Sequence, residues 1–131
     1  MNNELGNERN AIKNFKDLDA WQEGHKLVLL VYECTKLFPK TETYALVDQM
    51  KRAAVSITSN IAGGFSRQSY KEKVQFYSMS QGSLTELQNQ LIIAKDVRYL
   101  GKENFQEIFD QSIKVNKIIN GLIKSSKNHY S

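Results

Sequence analysis

The sequence is poor in the residues that interrupt helices or cross-link chains. One proline, seven glycines and one cysteine occur among 131 residues. The scarcity of proline and glycine favours long, uninterrupted helices. The single cysteine, Cys34, has no partner for an internal disulfide, so a reducing cytoplasm is the expected compartment.

The chain also lacks a long apolar segment. Its longest apolar run is Leu27–Tyr32, six residues, whereas a helix needs about 20 apolar residues to cross a bilayer. The first residues are polar and include Glu4 and Glu8, unlike the basic and then apolar start of a signal peptide. The sequence therefore predicts neither a membrane-spanning segment nor a secretion signal.

The overall composition is that of a folded, mildly basic domain. Apolar residues make up 40% of the chain and charged residues 24%, and the length suits one hydrophobic core. Eighteen basic and 14 acidic residues give a net charge of +4. The 21 residues from Gln111 onward contain four lysines and no carboxylate side chain, so the excess charge is concentrated there.

Apolar residues recur at three- and four-residue spacings in four segments, which predicts four helices. The first lies between Asp17 and Phe38, and the second runs from about Glu42 to Ala62, where Gly63-Gly64 should end it. The third runs from the capping residue Ser69 to Leu100, and the fourth follows Gly101-Lys102. Short connections between long helices predict an all-α, antiparallel up-down-up-down four-helix bundle.

Each predicted helix has one apolar seam that should face the core. The seams are Leu18, Trp21, His25, Val28, Tyr32 and Thr35; Val47, Met50, Ala54, Ile57 and Ile61; Tyr77, Ser80, Leu84, Leu87, Leu91 and Ala94; and Phe105, Ile108, Ser112, Val115, Ile119 and Leu122. The expected domain limits are a flexible polar leader (1–14), one bundle (15–126) and a basic polar tail (127–131).

Two features of the pattern point beyond a single bundle. Further apolar residues outside the seams, such as Leu30 and Ile93, suggest a second buried surface and hence an oligomer, although a wide core stripe would also accommodate them. Gly82 lies in the middle of the third helix, where glycine costs about 1 kcal/mol relative to alanine. A close contact with another helix is the expected reason for this glycine.

The sequence contains no pattern typical of a catalytic, metal or cofactor site. Neither His25 nor His129 follows a glutamate at the spacing used by di-iron bundles, and no Cys-x-x-Cys or phosphate-binding glycine loop occurs. For His25, Cys34 and Asn60, structural roles in the core or at a helix end are favoured over proton transfer, a reactive thiol and ligand binding. We therefore expect no enzymatic activity.

The basic residues are the one functional indication in the composition. The last four lysines fall within an arc of about 140° on the fourth helix, given 100° per residue, and others cluster where the third helix begins. The candidate nucleic-acid-binding residues are Arg52, Arg67, Lys71, Lys114, Lys117, Lys124 and Lys127. The alternative is a merely solvated charged face. Apart from Tyr130 at the tail, no aromatic residue is interleaved with the lysines, so base stacking is expected to contribute little.

Several stretches together resemble one protein family, the 23S ribosomal RNA intervening-sequence proteins. The resemblance covers about residues 15–123 and is most specific from Gln49 to Gly64. The matching stretches are Leu18 with Trp21-Gln22; Tyr32 with Phe38-Pro39; Gln49-Met50 with Arg52–Ile57; Ser59–Ala62 with Gly64; and Gly82–Leu84 with Glu86-Leu87. The family usually has a glutamate where this chain has Gly63, so a function of that carboxylate is missing here.

The resemblance implies a four-helix bundle that assembles into a ring-shaped homopentamer in the bacterial cytoplasm, without known enzymatic activity. The family is related to the accessory variability determinant proteins of diversity-generating retroelements, which bind nucleic acid through a basic surface and associate with a reverse transcriptase. The leading hypothesis is thus an oligomeric scaffold that binds RNA or DNA, with a reverse transcriptase or a ribosomal component as further candidate partners. The alternative is a protein-interaction module whose basic face is only solvated.

Overall fold

The structure is a computed structural model that describes residues 11–130, and in this part of the chain it contains four α-helices and no strand. The helices are α1 (Asp19–Thr35), α2 (Leu46–Phe65), α3 (Tyr70–Asp96) and α4 (Lys102–Lys127). The predicted all-α fold is confirmed. Residues 1–10 of the predicted leader and Ser131 of the predicted tail lie outside the described residues.

Side-chain contacts show the relative direction of the helices. Between α3 and α4, Gln81 Nε2 donates to Asn120 Oδ1 at 2.6 Å, and Gln88 Nε2 donates to Ser112 Oγ at 3.0 Å. The residue number on α3 rises from 81 to 88 while that of its hydrogen-bond partner on α4 falls from 120 to 112, so the two helices are antiparallel. α1 packs against α2 and α4, and within residues 11–130 no Cα atoms of the diagonal pairs α1–α3 and α2–α4 lie within 8 Å of each other. This square arrangement is the expected up-down-up-down bundle.

The core is formed by the predicted seams of α2, α3 and α4. Every seam residue of α2 and α3 is buried, whereas Phe105 and Leu122 at the two ends of the α4 seam are half-buried. Two seam residues are polar and have hydrogen-bond partners: Ser80 Oγ donates to the Ile57 carbonyl at 2.8 Å and Ser112 Oγ to the Phe109 carbonyl at 2.6 Å. Both buried serine hydroxyl groups therefore have a hydrogen-bond partner.

The predicted seam of α1 is partly wrong. Val28 and Thr35 are buried, but Trp21 and His25 are half-buried and Tyr32 is 41% exposed. The buried face of α1 consists instead of Ala20, Gly24, Leu27, Val28, Val31 and Thr35. Apolar residues surround so much of this helix that spacing alone does not define which stripe faces the core.

Gly63 and Gly64 do not end α2, contrary to the prediction, because the helix continues to Phe65. Gly64 is buried, and a β-carbon there would lie 2.7 Å from Tyr77 Cε1 and 2.9 Å from Phe76 Cβ. The missing side chain thus allows α3 to approach α2 closely. Glycine often ends a helix, but here it serves packing, so α2 is longer at this end than the sequence predicts.

α3 begins as predicted and ends earlier than predicted. Ser69 Oγ accepts a hydrogen bond from the Glu72 amide at 3.1 Å and caps the helix. The helix ends at Asp96 because Arg98 takes a left-handed conformation with φ of 70°. The amide of Leu100 then bonds to the Ala94 carbonyl at 3.2 Å, which closes the turn before α4. Glycine usually occupies such a position. Because an arginine occupies it here, the sequence does not indicate that the helix ends at this point.

Gly82 has no packing role inside the bundle, so its predicted contact with another helix stays a prediction for the oligomer. Gly82 is exposed, and a β-carbon there would have no heavy atom within 4 Å. A mid-helix glycine on the solvent side lowers helix stability without a compensating contact inside the bundle.

No helix in residues 11–130 contains a stretch apolar and long enough to cross a membrane.

Alanine substitutions at the two glycines should have opposite effects on stability. Gly64→Ala should lower the free energy of unfolding by about 1–3 kcal/mol, because the ring of Tyr77 and the backbone-attached Cβ of Phe76 have little room to move. Gly82→Ala serves as the matched control and should raise it by about 0.5–1 kcal/mol through helix propensity. Urea unfolding followed by far-ultraviolet circular dichroism measures both, and a stabilised Gly64→Ala would contradict the packing argument.

Candidate nucleic-acid interface

The charge of α4 changes sign along its length. Its carboxylates, Glu103, Glu107 and Asp110, all lie in the first third of the helix, and the four lysines of the predicted stripe follow. Lys114, Lys117, Lys124 and Lys127 are all exposed. The C-terminal part of α4 therefore presents positive charge to solvent, with increasing distance from its own carboxylates.

Lys114 has a carboxylate partner on a neighbouring helix. Its Nζ lies 3.3 Å from Glu23 Oε1 on the neighbouring α1. Gln111 Nε2 also donates to Glu23 Oε1 at 3.0 Å, and this bond is the main cause that lowers the pKa of Glu23 to about 2, with Lys26 and Lys114 contributing. Glu23 is thus ionised at neutral pH, and it offsets part of the charge of Lys114.

The turn between α2 and α3 brings further cations to the end of α4. The rings of Tyr70 and His129 stack with centroids 4.2 Å apart, so the first turn of α3 lies beside the residues that follow α4. We call this region the basic end and define it as Arg67, Lys71, Lys73, Lys124 and Lys127. Glu72 is the one carboxylate residue in the described segments 66–73 and 124–130.

Two cations of the basic end also stabilise the fold. Lys73 Nζ donates to the Phe65 carbonyl at 2.6 Å, at the C-terminus of α2, and partial burial lowers the pKa of Lys73. The Arg67 guanidinium lies 4.5 Å from the centre of the Phe76 ring and Arg67 Nε donates to the Gly63 carbonyl at 3.4 Å. These contacts position Arg67 and Lys73, while Lys71, Lys124 and Lys127 are exposed.

Arg52 does not join the other candidate residues. It lies on α2, which is diagonal to α4 in the bundle, with no Cα atoms of the two helices within 8 Å in the described residues. Its Nε is 3.1 Å from Asp48 Oδ2, one turn earlier on the same helix. The structure thus brings together the candidates at positions 67, 71, 124 and 127, places Lys114 and Lys117 farther along α4, and separates Arg52 from all of them.

The other residues singled out in the sequence have structural contacts. His25 stacks on Trp21 with centroids 4.7 Å apart. Burial raises the pKa of the Cys34 thiol to about 11, so this thiol is protonated and a poor nucleophile at neutral pH. Asn60 Nδ2 donates to the Ser56 carbonyl at 2.9 Å. Within residues 11–130, no group of three or more His, Cys, Asp or Glu residues is arranged to hold a metal ion.

Sequence reasoning missed the aromatic component of the basic end. Tyr70 and His129 are far apart in the chain, and neither belongs to an apolar seam. The adjacent Lys71 and Lys73 marked the region around Tyr70, but only the antiparallel pairing of α3 with α4 brings the two rings together. The lysines of α4 have no interleaved aromatic residue in the sequence before Tyr130, but the fold adds a stacked ring pair at the end of their helix.

The sequence model of the 23S rRNA-intervening sequence protein family matches residues 16–121. The chain belongs to this family. No curated protein sequence matches the chain. The resemblance to this family, which the sequence indicates over about residues 15–123, is thereby confirmed for residues 16–121.

A solved structure supports the same fold. The chain is similar to a protein of unknown function from the S23 ribosomal protein family of Bacteroides thetaiotaomicron, with a TM-score of 0.73 and 19% sequence identity. The match covers 80% of this chain and 95% of the other. At this identity the similarity establishes a shared architecture.

Removing the Glu23 carboxylate should make stability less dependent on acid pH. The folded-state pKa of about 2 is lower than the ordinary value of 4.5. The stabilisation is therefore full above about pH 4.5 and is lost as the pH falls towards 2. Glu23→Gln should lower the free energy of unfolding by about 1–3 kcal/mol at pH 7.

Urea unfolding at pH 7, 3 and 2 measures this effect, and the difference from wild type should shrink as the pH falls. The matched control is Glu33→Gln, which removes an exposed pair with Lys36 on the same helix and should change stability by less than about 0.5 kcal/mol. An effect of Glu23→Gln that is equal at all three pH values would contradict the pKa argument.

Proposed function

We propose that this protein is a non-enzymatic, oligomeric scaffold of the bacterial cytoplasm that binds nucleic acid through its basic surface. The observation that carries the proposal is the clustering of exposed cations at one end of the bundle. Lys71, Lys124 and Lys127 are exposed there, beside Arg67. Phosphate groups of a nucleic acid are the ligands that suit such a surface.

The contacts of these cations with phosphates are electrostatic and independent of sequence. Each lysine that neutralises a phosphate releases a condensed counterion, so binding weakens steeply as salt increases. Arg67 adds a guanidinium, whose forked donors match phosphate oxygens. Because one protomer supplies few such contacts, repetition of the basic end in an oligomer raises the avidity for a long strand.

Exposed apolar residues support the oligomeric part of the proposal. Leu29 and Val55 are exposed on α1 and α2, Met79 and Ile93 are exposed on α3, and Val97 is exposed directly after the end of α3. Several large apolar side chains on one helix favour a surface that a protein partner covers. The proposed partner is the same chain in a homopentamer, as the family resemblance implies.

Light scattering tests the oligomer directly. A homopentamer of 15.0 kDa protomers has a mass of about 75 kDa. Val97→Lys combined with Ile93→Lys should reduce the mass if α3 contributes to the interface, because a buried lysine without a partner destabilises an interface. Thr85→Lys, an exposed polar position on the same helix, is the control. A single 15.0 kDa wild-type species at micromolar concentration would refute the oligomer.

Replacing lysines with glutamine tests the nucleic-acid surface. Lys117→Gln, Lys124→Gln and Lys127→Gln combined should weaken binding to RNA and DNA alike. The slope of log affinity against log salt should fall by about two to three units. Fluorescence anisotropy with labelled oligonucleotides measures both quantities.

Two single variants serve as comparisons for this test. Arg52→Gln should change affinity little, because Arg52 lies away from the basic end. Lys114→Gln should have a smaller effect than Lys124→Gln, because Glu23 already pairs with Lys114. Failure of the wild type to bind either nucleic acid at about 50 mM salt, where phosphate contacts are strong, would overturn the proposal.

The second candidate function is a protein-interaction module, with a reverse transcriptase or a ribosomal component as partner. It is favoured by the exposed apolar residues of α3 named above. The two functions predict different responses to the same variants. A module of this kind should keep its partner after nuclease treatment and in the triple lysine variant, but should lose it when Ile93 and Val97 become lysine.

A further inference from the structure

The basic end contains an ordered aromatic stack as well as cations. The Tyr70 and His129 rings lie 4.2 Å apart between centroids and are inclined by 15°, which is a face-to-face arrangement. Tyr70 is 39% exposed and His129 is exposed. The pair is therefore accessible to solvent, unlike the Tyr77 ring, which is buried in the core.

Backbone and core contacts hold His129 in this position. Its Nδ1 lies 3.0 Å from the Ser125 carbonyl oxygen, to which a protonated Nδ1 donates, and its amide donates to the Ser126 carbonyl at 3.1 Å. The next residue, Tyr130, is half-buried and packs against the hydrophobic core. The imidazole is thus presented by an anchored turn, and a ligand that stacks here meets a preorganised surface.

One cation lies near the stack in space, and three others are close to it in the sequence. Lys73 Nζ lies 5.9 Å from the centre of the Tyr70 ring, and Lys71 follows Tyr70 directly in the first turn of α3. Lys124 and Lys127 occupy the last turn of α4, close before His129. Exposed rings flanked by lysines are the combination found in surfaces that bind single-stranded nucleic acid, where rings stack bases and cations contact phosphates.

We propose that the basic end binds unpaired nucleotides, with one base extending the Tyr70–His129 stack while Lys71, Lys124 and Lys127 contact the adjacent phosphates. This proposal rests on the nucleic-acid-binding function and specifies its ligand. In a duplex each base face is covered by its neighbours, so a stacking surface favours a single strand. Phosphate contacts alone would not distinguish a single strand from a duplex in this way.

Fluorescence anisotropy at about 50 mM salt with labelled 20-nucleotide DNA, single-stranded or as a duplex of the same sequence, tests the proposal. Tyr70→Leu removes the aromatic face and keeps an apolar side chain. It should weaken single-strand binding about tenfold, leave duplex binding unchanged, and leave the salt slope unchanged because no charge is lost. Tyr70→Phe retains the ring and should bind as the wild type does.

Two further variants control for surface position and folding. Tyr44 is 95% exposed before α2, at the opposite end of the bundle, and Tyr44→Leu should leave both affinities unchanged. His129→Leu removes the second ring and should also weaken single-strand binding selectively. It supplies an independent test if circular dichroism shows that Tyr70→Leu is misfolded.

The outcomes separate this proposal from the general function. Wild-type protein that binds neither DNA form would overturn both. Binding of both forms that Tyr70→Leu and His129→Leu leave intact would overturn the stacking site while the electrostatic surface stands. An equal loss for single strand and duplex in the folded variants would also reject stacking, because that result indicates a general disturbance of the basic end.

Discussion

The close packing of α2 against α3 is the contact on which the other features depend. Gly64 lies against the Tyr77 ring, so near that a methyl group would not fit without movement. This approach brings the start of α3 beside the end of α2, where Lys73 reaches the Phe65 carbonyl. The same packing places Phe76 under the Arg67 guanidinium. The geometry of the basic end thus follows from a contact in the core.

The cations of this protein have different roles, although they resemble one another in sequence. Lys73 satisfies carbonyl groups at a helix C-terminus, where positive charge is favourable, and Lys114 pairs with Glu23. Lys124 and Lys127 are exposed near the C-terminus of their own helix. Their positive charge therefore remains available to a phosphate. The functional candidate is for this reason the basic end of the bundle, and not the full row of lysines along α4.

The accuracy of the predicted fold depended on how clearly polar residues interrupt the apolar pattern. In α2 and α3 the core positions stand out, and all predicted seam residues are buried. In α1 the apolar run of residues 27–32 continues around the helix, so spacing alone does not determine which of its faces is buried. The role of a glycine within a helix is also not evident from local spacing. Gly64 faces a neighbouring helix, whereas Gly82 lies on the outer side of the bundle.

The sequence by itself determined the helical periodicity, the family and the excess of lysine after Asp110, because these properties depend on residue type and local spacing. The tertiary structure decided which charges meet. The Lys114–Glu23 pair and the Tyr70–His129 stack join residues that are far apart in the chain. Their proximity depends on the rotation and register of packed helices, which arise from the fit of whole helix surfaces and not from any local pattern.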